Sequence, residues 1–210
     1  IGYSEKIAKW IDKDELLKHI YTAPEMPDAI PYVTSYYARK WGFCMSENQK
    51  NNLNDDQYFA KIDANKSIGH LNYADFIVNG KSKEEILISS YICHPSMANN
   101  ELSGPMVATR LAEILGDVET FYTYRFVFVP ETIGSLVYTF KNLKRLKKRV
   151  KAGYVLTCIG DNNSYSFLGT RYEDTLADKI AISLINDEYK QAKIYKWSVR
   201  GSDERQYNSP

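Results

Sequence analysis

From Glu85 onward the chain alternates short apolar runs with longer amphipathic segments, and that rhythm limits it to one broad class of architecture. Glu85–Ile92 (EILISSYI) has the length and β-branched character of a buried strand. Pro105–Leu115 follows as a helix, with Met106, Val107, Leu111, Ile114 and Leu115 available for burial. Ser103 is placed to cap it, and Pro105 is tolerated in a first helical turn. Tyr124–Val129 (YRFVFV) is a second buried strand. Leu136–Arg149 is a second helix, its cations gathered toward the C-terminal end, as the macrodipole favours. Ala152–Ile159 reads as a third strand, Thr175–Tyr189 as a third helix and Lys193–Trp197 as a short fourth strand. Alternation at this spacing predicts an α/β fold in three layers, a largely parallel sheet flanked by helices.

The first third of the chain has a different character. Residues 4–21 (SEKIAKWIDKDELLKHIY) carry Ile7, Ile11, Leu16, Leu17 and Ile20 at spacings that give short helical segments, with Asp12 as an N-cap before Glu15. Pro24, Pro27 and Pro31 then interrupt regular structure. Tyr58–Ile62 and Ile68–Val78 read as strands, and Asn79-Gly80 is a turn signal. The expected division is therefore a main α/β domain over 1–31 and 84–210, incomplete at its C-terminal end, with 32–83 as a small β-rich insertion.

Composition excludes several classes. The formal net charge is +1, so a surface-wide nucleic-acid or membrane footprint is not indicated. The basic run Lys141–Lys151 (KNLKRLKKRVK) is read as a solvated helix face before a nucleic-acid or anionic-lipid contact. Three scattered cysteines, Cys44, Cys93 and Cys158, form neither a disulfide framework nor a CxxC zinc pattern. No apolar run reaches the roughly 18–20 residues of a spanning helix, and no signal peptide is visible, so the expected location is cytoplasmic. With Ile1 at its start and Pro210 after a polar turn, the chain reads as an internal fragment.

In open α/β sheets, ligands bind outside the carboxyl ends of the strands. Polar clusters follow each predicted strand: Cys93–Gly104, Pro130–Ser135, Gly160–Asn163 and Arg200–Arg205. The fold should bring all four to one edge. His94 is either a hydrogen-bonded structural residue or a metal ligand, since imidazole suits zinc. Glu131, at the end of a buried strand and before Gly134, must be desolvated, paired, metal-bound or protonated. Its alternative is a helix N-terminal carboxylate stabilised by the dipole. Asp203 and Glu204 lie between Arg200 and Arg205, where a surface ion-pair cluster is the plainer reading.

These residues resemble the zinc-dependent aminopeptidase superfamily that includes glutaminyl cyclases, and more narrowly the bacterial aminopeptidase-like domain proteins. The likeness rests on SYICHPSMANNELSGP at Ser90–Pro105, PETIGS at Pro130–Ser135 and RGSDERQY at Arg200–Tyr207, and spans nearly the whole chain. It implies a zinc exopeptidase-like fold, zinc as cofactor, His94 as a metal ligand and Glu131 as the general base. The chain departs from the superfamily pattern at several ligands. Thr132 stands where a carboxylate ligand follows the base, Asn100 where a bridging Asp is usual, and Thr157 at a further Asp, with Asp161 four residues on. A last His ligand is expected beyond Pro210. The resemblance also suggests surface-polysaccharide biosynthesis as a context.

Two functions follow. The first is a zinc-dependent aminopeptidase-like hydrolase acting on a peptide or small-molecule amide. In it Glu131 is catalytic, His94 and Glu131 hold metal in a site that is mononuclear or incomplete, and Asn100, Glu101, Asp203 and Glu204 meet the substrate. The second is a catalytically lapsed binding protein on the same fold, favoured by the missing anionic ligands. Neither calls for a membrane or a nucleic acid as partner, and the near-neutral charge argues against the latter.

Overall fold

The computed structural model describes residues 1–94, 97–189, 191–197 and 201–208. It divides into two units, Ile1–Gly69 and His70–Pro210.

The first unit contains β1 (Ile7–Asp12), α1 (Lys13–Leu17), β2 (Ile20–Tyr21), β3 (Phe43–Cys44), α2 (Glu47–Asn51) and β4 (Gln57–Ile62). β1 pairs antiparallel with β4 from Ile7–Ile62 to Asp12–Gln57, and β2 pairs parallel with β3. Ile11, Leu16 and Ala60 form its core, packed by Ile20, Trp41, Phe43, Leu53 and Tyr58. The helical reading of 4–21 therefore holds only for α1. Ile7 and Ile11 are four apart, a spacing that satisfies period two as well as a helical turn, and pairing with β4 decides for the strand. Asp12 is the N-cap of α1, yet its carboxylate accepts from Gln57 Nε2 at 3.0 Å instead of capping. The same pairing corrects the expected division of the chain. Residues 1–31 fold with 32–69, because β1 and β4 share one ladder and one core.

The second unit contains β5 (Ala74–Val78), β6 (Glu85–Tyr91), α3 (Ala98–Glu101), α4 (Ser103–Gly116), β7 (Thr123–Val129), α5 (Ile133–Arg149), β8 (Val150–Val155), β9 (Ser166–Leu168), α6 (Leu176–Glu188), β10 (Lys193–Tyr195) and α7 (Asp203–Tyr207). Its sheet has the order β5-β7-β6-β8, with β6 parallel to both neighbours and β5 antiparallel at one edge. The strand expected over 68–78 begins only at Ala74 and belongs to this sheet, and the third predicted strand ends at Val155. β10 lies outside it, paired with β9 in a two-stranded ribbon. Alternation along the strands builds a layer on each face. Leu87, Val127 and Val129 pack with Tyr138 and Leu146 of α5, while Ile88 and Phe126 pack with Ala108 and Ala112 of α4. The α/β three-layer expectation is met.

One polar group breaks the α5 face. Arg125 is 2% exposed and donates through Nε to Glu85, itself 1% exposed, at 2.6 Å. Its Nη1 reaches Asp75 at 2.8 Å, where Tyr138 also donates. Arg149 adds a bond to Glu85 at 3.3 Å, and Arg145 lies 3.6 Å from it. Part of the basic run Lys141–Lys151 thus reaches a buried acid while remaining partly solvated. Removing one member of a buried pair strands the other, at a cost of about 3–5 kcal/mol. Arg125→Met should lose stability on that scale in urea denaturation, with part recovered in Arg125→Met/Glu85→Gln; a loss below about 1 kcal/mol, the scale of an exposed pair, would show that the network is dispensable.

A second check concerns acid. Burial pushes the Asp178 carboxyl up, but bonds from Thr170 and Thr175 outweigh it and the net shift is downward. Thr175 and Asp178 form the capping box of α6. A lowered carboxylate stabilises the fold above the unfolded value of about 3.9 and loses that contribution as pH falls through its folded value. Asp178→Asn should therefore be less stable than wild type near neutrality, with the difference closing below about pH 4. Urea midpoints measured between pH 3 and 7 test this, and a constant difference across that range would refute it.

Candidate active site

Four segments meet at the carboxyl edge of β6, β7 and β8, as their positions after predicted strands imply. Cys93 and His94 leave β6, Glu131 and Thr132 leave β7, and Cys158 to Asp161 follow β8. Ser202 and Asp203 open α7, which packs on α5 and β8. Hydrogen bonds join the segments. Ser202 Oγ donates to Glu131 Oε1 at 2.7 Å, the Thr132 N–H donates to Asp203 Oδ1 at 2.7 Å, and the Gly160 N–H donates to Asn99 Oδ1 at 2.8 Å. Ser103 does not cap α4 with its side chain. It begins the helix and accepts from the Ile159 N–H at 3.0 Å, tying the loop after β8 to it.

At the centre, His94 Nε2 lies 3.6 Å from Glu131 Oε2. One ligand atom each from Cys93, His94 and Glu131 fall within 4.8 Å of one another. The Cys93 backbone N–H donates to the Glu101 carboxylate, and Asn100 Nδ2 donates to Cys158 Sγ at 3.4 Å. Close approach depends on glycine at two places. A Cβ on Gly104 would lie 2.2 Å from Leu156 O, and one on Gly134 would lie 2.6 Å from Pro130 Cδ. Each lets a helix start hard against a strand end.

The backbone is strained here. Thr132 has φ 60° and ψ −65°, and Cys158 has φ 51°. Left-handed φ in a β-branched residue costs of order 1–3 kcal/mol and persists only where the surroundings over-determine it. Asp203 supplies that constraint, since its Oδ1 accepts from both the Thr132 N–H and Ser135 Oγ (2.9 Å).

Acid crowds the site. Burial pushes the Asp203 carboxyl up to about 6, opposed by those two donors and reinforced by Glu131 and Glu204. Burial likewise raises the Cys93 thiol, while a bond from the Glu131 backbone lowers it. Tyr91 is pushed to about 12 by burial, against its hydrogen bond with Thr157. Among the described residues, Asn100 Oδ1, Glu101 Oε1 and Asp203 Oδ2 are buried without a hydrogen-bond partner. Buried carboxylate oxygens in that state call for a proton or a cation.

The residues predicted for the site divide by depth. His94 and Glu131 face each other, and Asn100 and Glu101 lie on the loop beside them. Glu101 and Asp203 are 4% and 0% exposed, so they support the site from beneath. Glu204 Oε1 accepts from the Ser202 N–H at 3.1 Å. Glu204 also lines a cavity of about 910 Å³ beside β8, with Cys158, Ser202 and Trp197. Arg200, invoked for an ion-pair cluster, lies outside the described residues, as do Pro95 and Ser96. Cys93, Ser135 and Ser202 were not singled out by sequence. Ser135 and Ser202 have partners 68 and 71 residues away, and Cys93 meets Glu131 as well as its neighbour His94; only the predicted convergence of clusters pointed toward them.

The fold is that of an aminopeptidase-like α/β protein. The chain belongs to the family described as "Domain of unknown function (DUF4910)", whose model matches residues 10–210. It is 40% identical over its whole length to a Clostridium acetobutylicum protein named "Putative polysaccharide biosynthesis protein with aminopeptidase-like domain", covering 48% of that protein. A crystal structure of a "putative peptidase" from Clostridium acetobutylicum matches the whole chain with a TM-score of 0.93 at 39% identity, over 50% of its own length. An Acidobacteriales bacterium glutaminyl cyclase shares the fold at a TM-score of 0.50 and 15% identity, over 65% of this chain and 54% of its own. The chain thus spans about half the length of these relatives.

The strain at Thr132 yields a test. Asp203→Ala removes the acceptor of its N–H and should cost about 1–3 kcal/mol for the hydrogen bonds lost. Hydrogen exchange at the Thr132 amide should accelerate with it. Unchanged exchange over 132–135 would show that the turn is held by something other than Asp203.

Proposed function

We propose that this chain forms the core of a zinc-dependent hydrolase that cleaves a peptide or amide bond. The observation that carries the reading is the convergence of Cys93, His94 and Glu131 at the carboxyl edge of a parallel sheet, in a fold shared with a protein called a peptidase. The donor set suits zinc, which takes nitrogen, sulfur and oxygen ligands. The unpartnered oxygens of Glu101 and Asp203 mark the same corner as one that accommodates positive charge. His94 and Glu131 would hold the ion. Zinc, when bound, polarises a carbonyl and acidifies water.

The chain's own groups divide the remaining work. Glu131 takes a proton from the attacking water and returns it to the leaving amine. Ser202 donates to Glu131 Oε1 and orients that carboxylate, leaving Oε2 on the His94 side. Glu101 and Asp203 position the loops, through the Cys93 and Thr132 amides. Asn100 and Glu204 are placed to meet a polar or cationic part of the substrate. The three free thiols suit a reducing compartment such as the cytoplasm.

A second reading is a lapsed hydrolase that binds a ligand in polysaccharide biosynthesis, the process in the name of the Clostridium relative. Neutral Thr132 and Asn100 at two positions where the resemblance implies carboxylates favour it.

Glu131→Gln separates the two. If Glu131 is the base, the amide keeps its shape but takes no proton, and the rate of amino-terminal release from a peptide library should fall about 100- to 10,000-fold. Melting temperature should hold. Metal content should fall along with the rate, because Glu131 also holds the ion; unchanged metal content would reduce Glu131 to a base alone. Wild-type hydrolysis undiminished in the variant would remove Glu131 from the mechanism, and a wild type that hydrolyses nothing and binds no metal would leave the second reading.

A further inference from the structure

We propose that Cys93 is a thiolate ligand of the metal assigned above to His94 and Glu131, so that the ion sits in a sulfur–nitrogen–oxygen set. The inference rests on the metal-dependent reading, and it adds a ligand that the resemblance does not supply.

Geometry is the first support. The Cys93 sulfur, a His94 ring nitrogen and a Glu131 carboxylate oxygen all lie within 4.8 Å of one another. Donors on a tetrahedral zinc, at bonds of about 2.0–2.3 Å, are roughly 3.3–3.8 Å apart. His94 Nε2 and Glu131 Oε2 already stand at 3.6 Å. Consecutive side chains on a strand point to opposite faces, so Cys93 and His94 would diverge if β6 continued through them. It does not continue. β6 ends at Tyr91, and the His94 carbonyl accepts from the Met97 N–H in a turn. Leaving the extended conformation lets neighbours in sequence converge on one point.

The second support is charge. Thr132 and Asn100 are neutral where the resemblance implies carboxylates, and Glu131 is the one anion that faces His94 at ligand distance among the described residues. Zinc binds cysteine as thiolate, and a coordinated thiol is deprotonated outright. Cys93 therefore restores one of the missing negative charges.

The third support is that the Cys93 main chain is anchored: its backbone N–H donates to the buried Glu101 carboxylate. A hydrogen bond that fixes the residue carrying a ligand atom is the usual companion of a metal ligand. Cys158 differs: its sulfur accepts from Asn100 and Thr157, and it is not part of the cluster.

The test is cobalt substitution in the purified protein with its flanking sequence retained. Chelator-stripped protein is titrated with Co²⁺, and the near-ultraviolet thiolate-to-cobalt charge-transfer band is recorded beside the visible d–d bands. The band should appear in wild type and in Cys158→Ser and be lost in Cys93→Ser. Should Cys93→Ser fail to fold, wild type still decides, because saturating zinc should slow iodoacetamide alkylation of Cys93 and leave Cys158 unaffected. Visible cobalt bands without a thiolate band, or a band that survives Cys93→Ser, would overturn the assignment and leave the metal-dependent reading intact. Binding of neither cobalt nor zinc would overturn both.

Discussion

Parallel pairing of β6 with β7 on one side and β8 on the other is the constraint from which the site follows. Three strands running one way must end at one edge, so whatever chemistry follows them is brought together whether or not the loops attract each other. β6 is buried along nearly its whole length, which fixes its register: a slip of one residue would drive Leu87 into the α4 layer and Ile88 into the α5 layer. The Arg125–Glu85 pair pins the opposite end of the same ladder, where misregister would bury a lone charge. The buried ion-pair network lies toward the amino ends of these strands, and the candidate site lies at the carboxyl ends.

At the candidate site the electrostatics run one way. Glu101, Glu131, Asp203 and Glu204 approach one another with a single imidazole between them, while Arg125 is committed to the far end of the sheet. The consequence is visible in Asp203, whose carboxyl titrates high because burial and its acidic neighbours disfavour its charge. Burying several acids and leaving two of their oxygens unpartnered is a poor arrangement for stability alone. A cation bound at this corner would relieve the repulsion among these acids.

Much of this was legible in the sequence because it rests on local pattern. β6, β7, α4, α5 and α6 each carry an unambiguous period, and their boundaries fall close to those expected. Convergence at the strand ends followed from alternation alone. The rest was hidden by ambiguity or by distance. Ile7 and Ile11 fit a helix and a strand equally until β4, 45 or more residues away in sequence, chooses between them. Ser103 has the position of a cap but serves the Ile159 loop. The bond from Ser202 to Glu131 joins residues 71 apart, and no periodicity encodes it.

Thr132 shows how a departure from pattern can be absorbed structurally. The resemblance puts a carboxylate at this position, and the chain has a hydroxyl. A carboxylate is nonetheless present, because Asp203 on α7 brings Oδ1 to 2.7 Å from the Thr132 amide. The negative charge at this corner is carried by a different element, and Thr132 holds the left-handed turn that gives Asp203 an amide to grip. With this carboxylate on α7, the corner depends on how α7 packs against α5 and β8. Tyr207 shares that duty, its hydroxyl 2.9 Å from Ser89 Oγ and its ring against the α5-side core. One short helix, α7, thus carries both contacts, Ser202 to Glu131 and Asp203 to the Thr132 amide, so the placement of the Glu131 carboxylate depends on an element that adds little to the core.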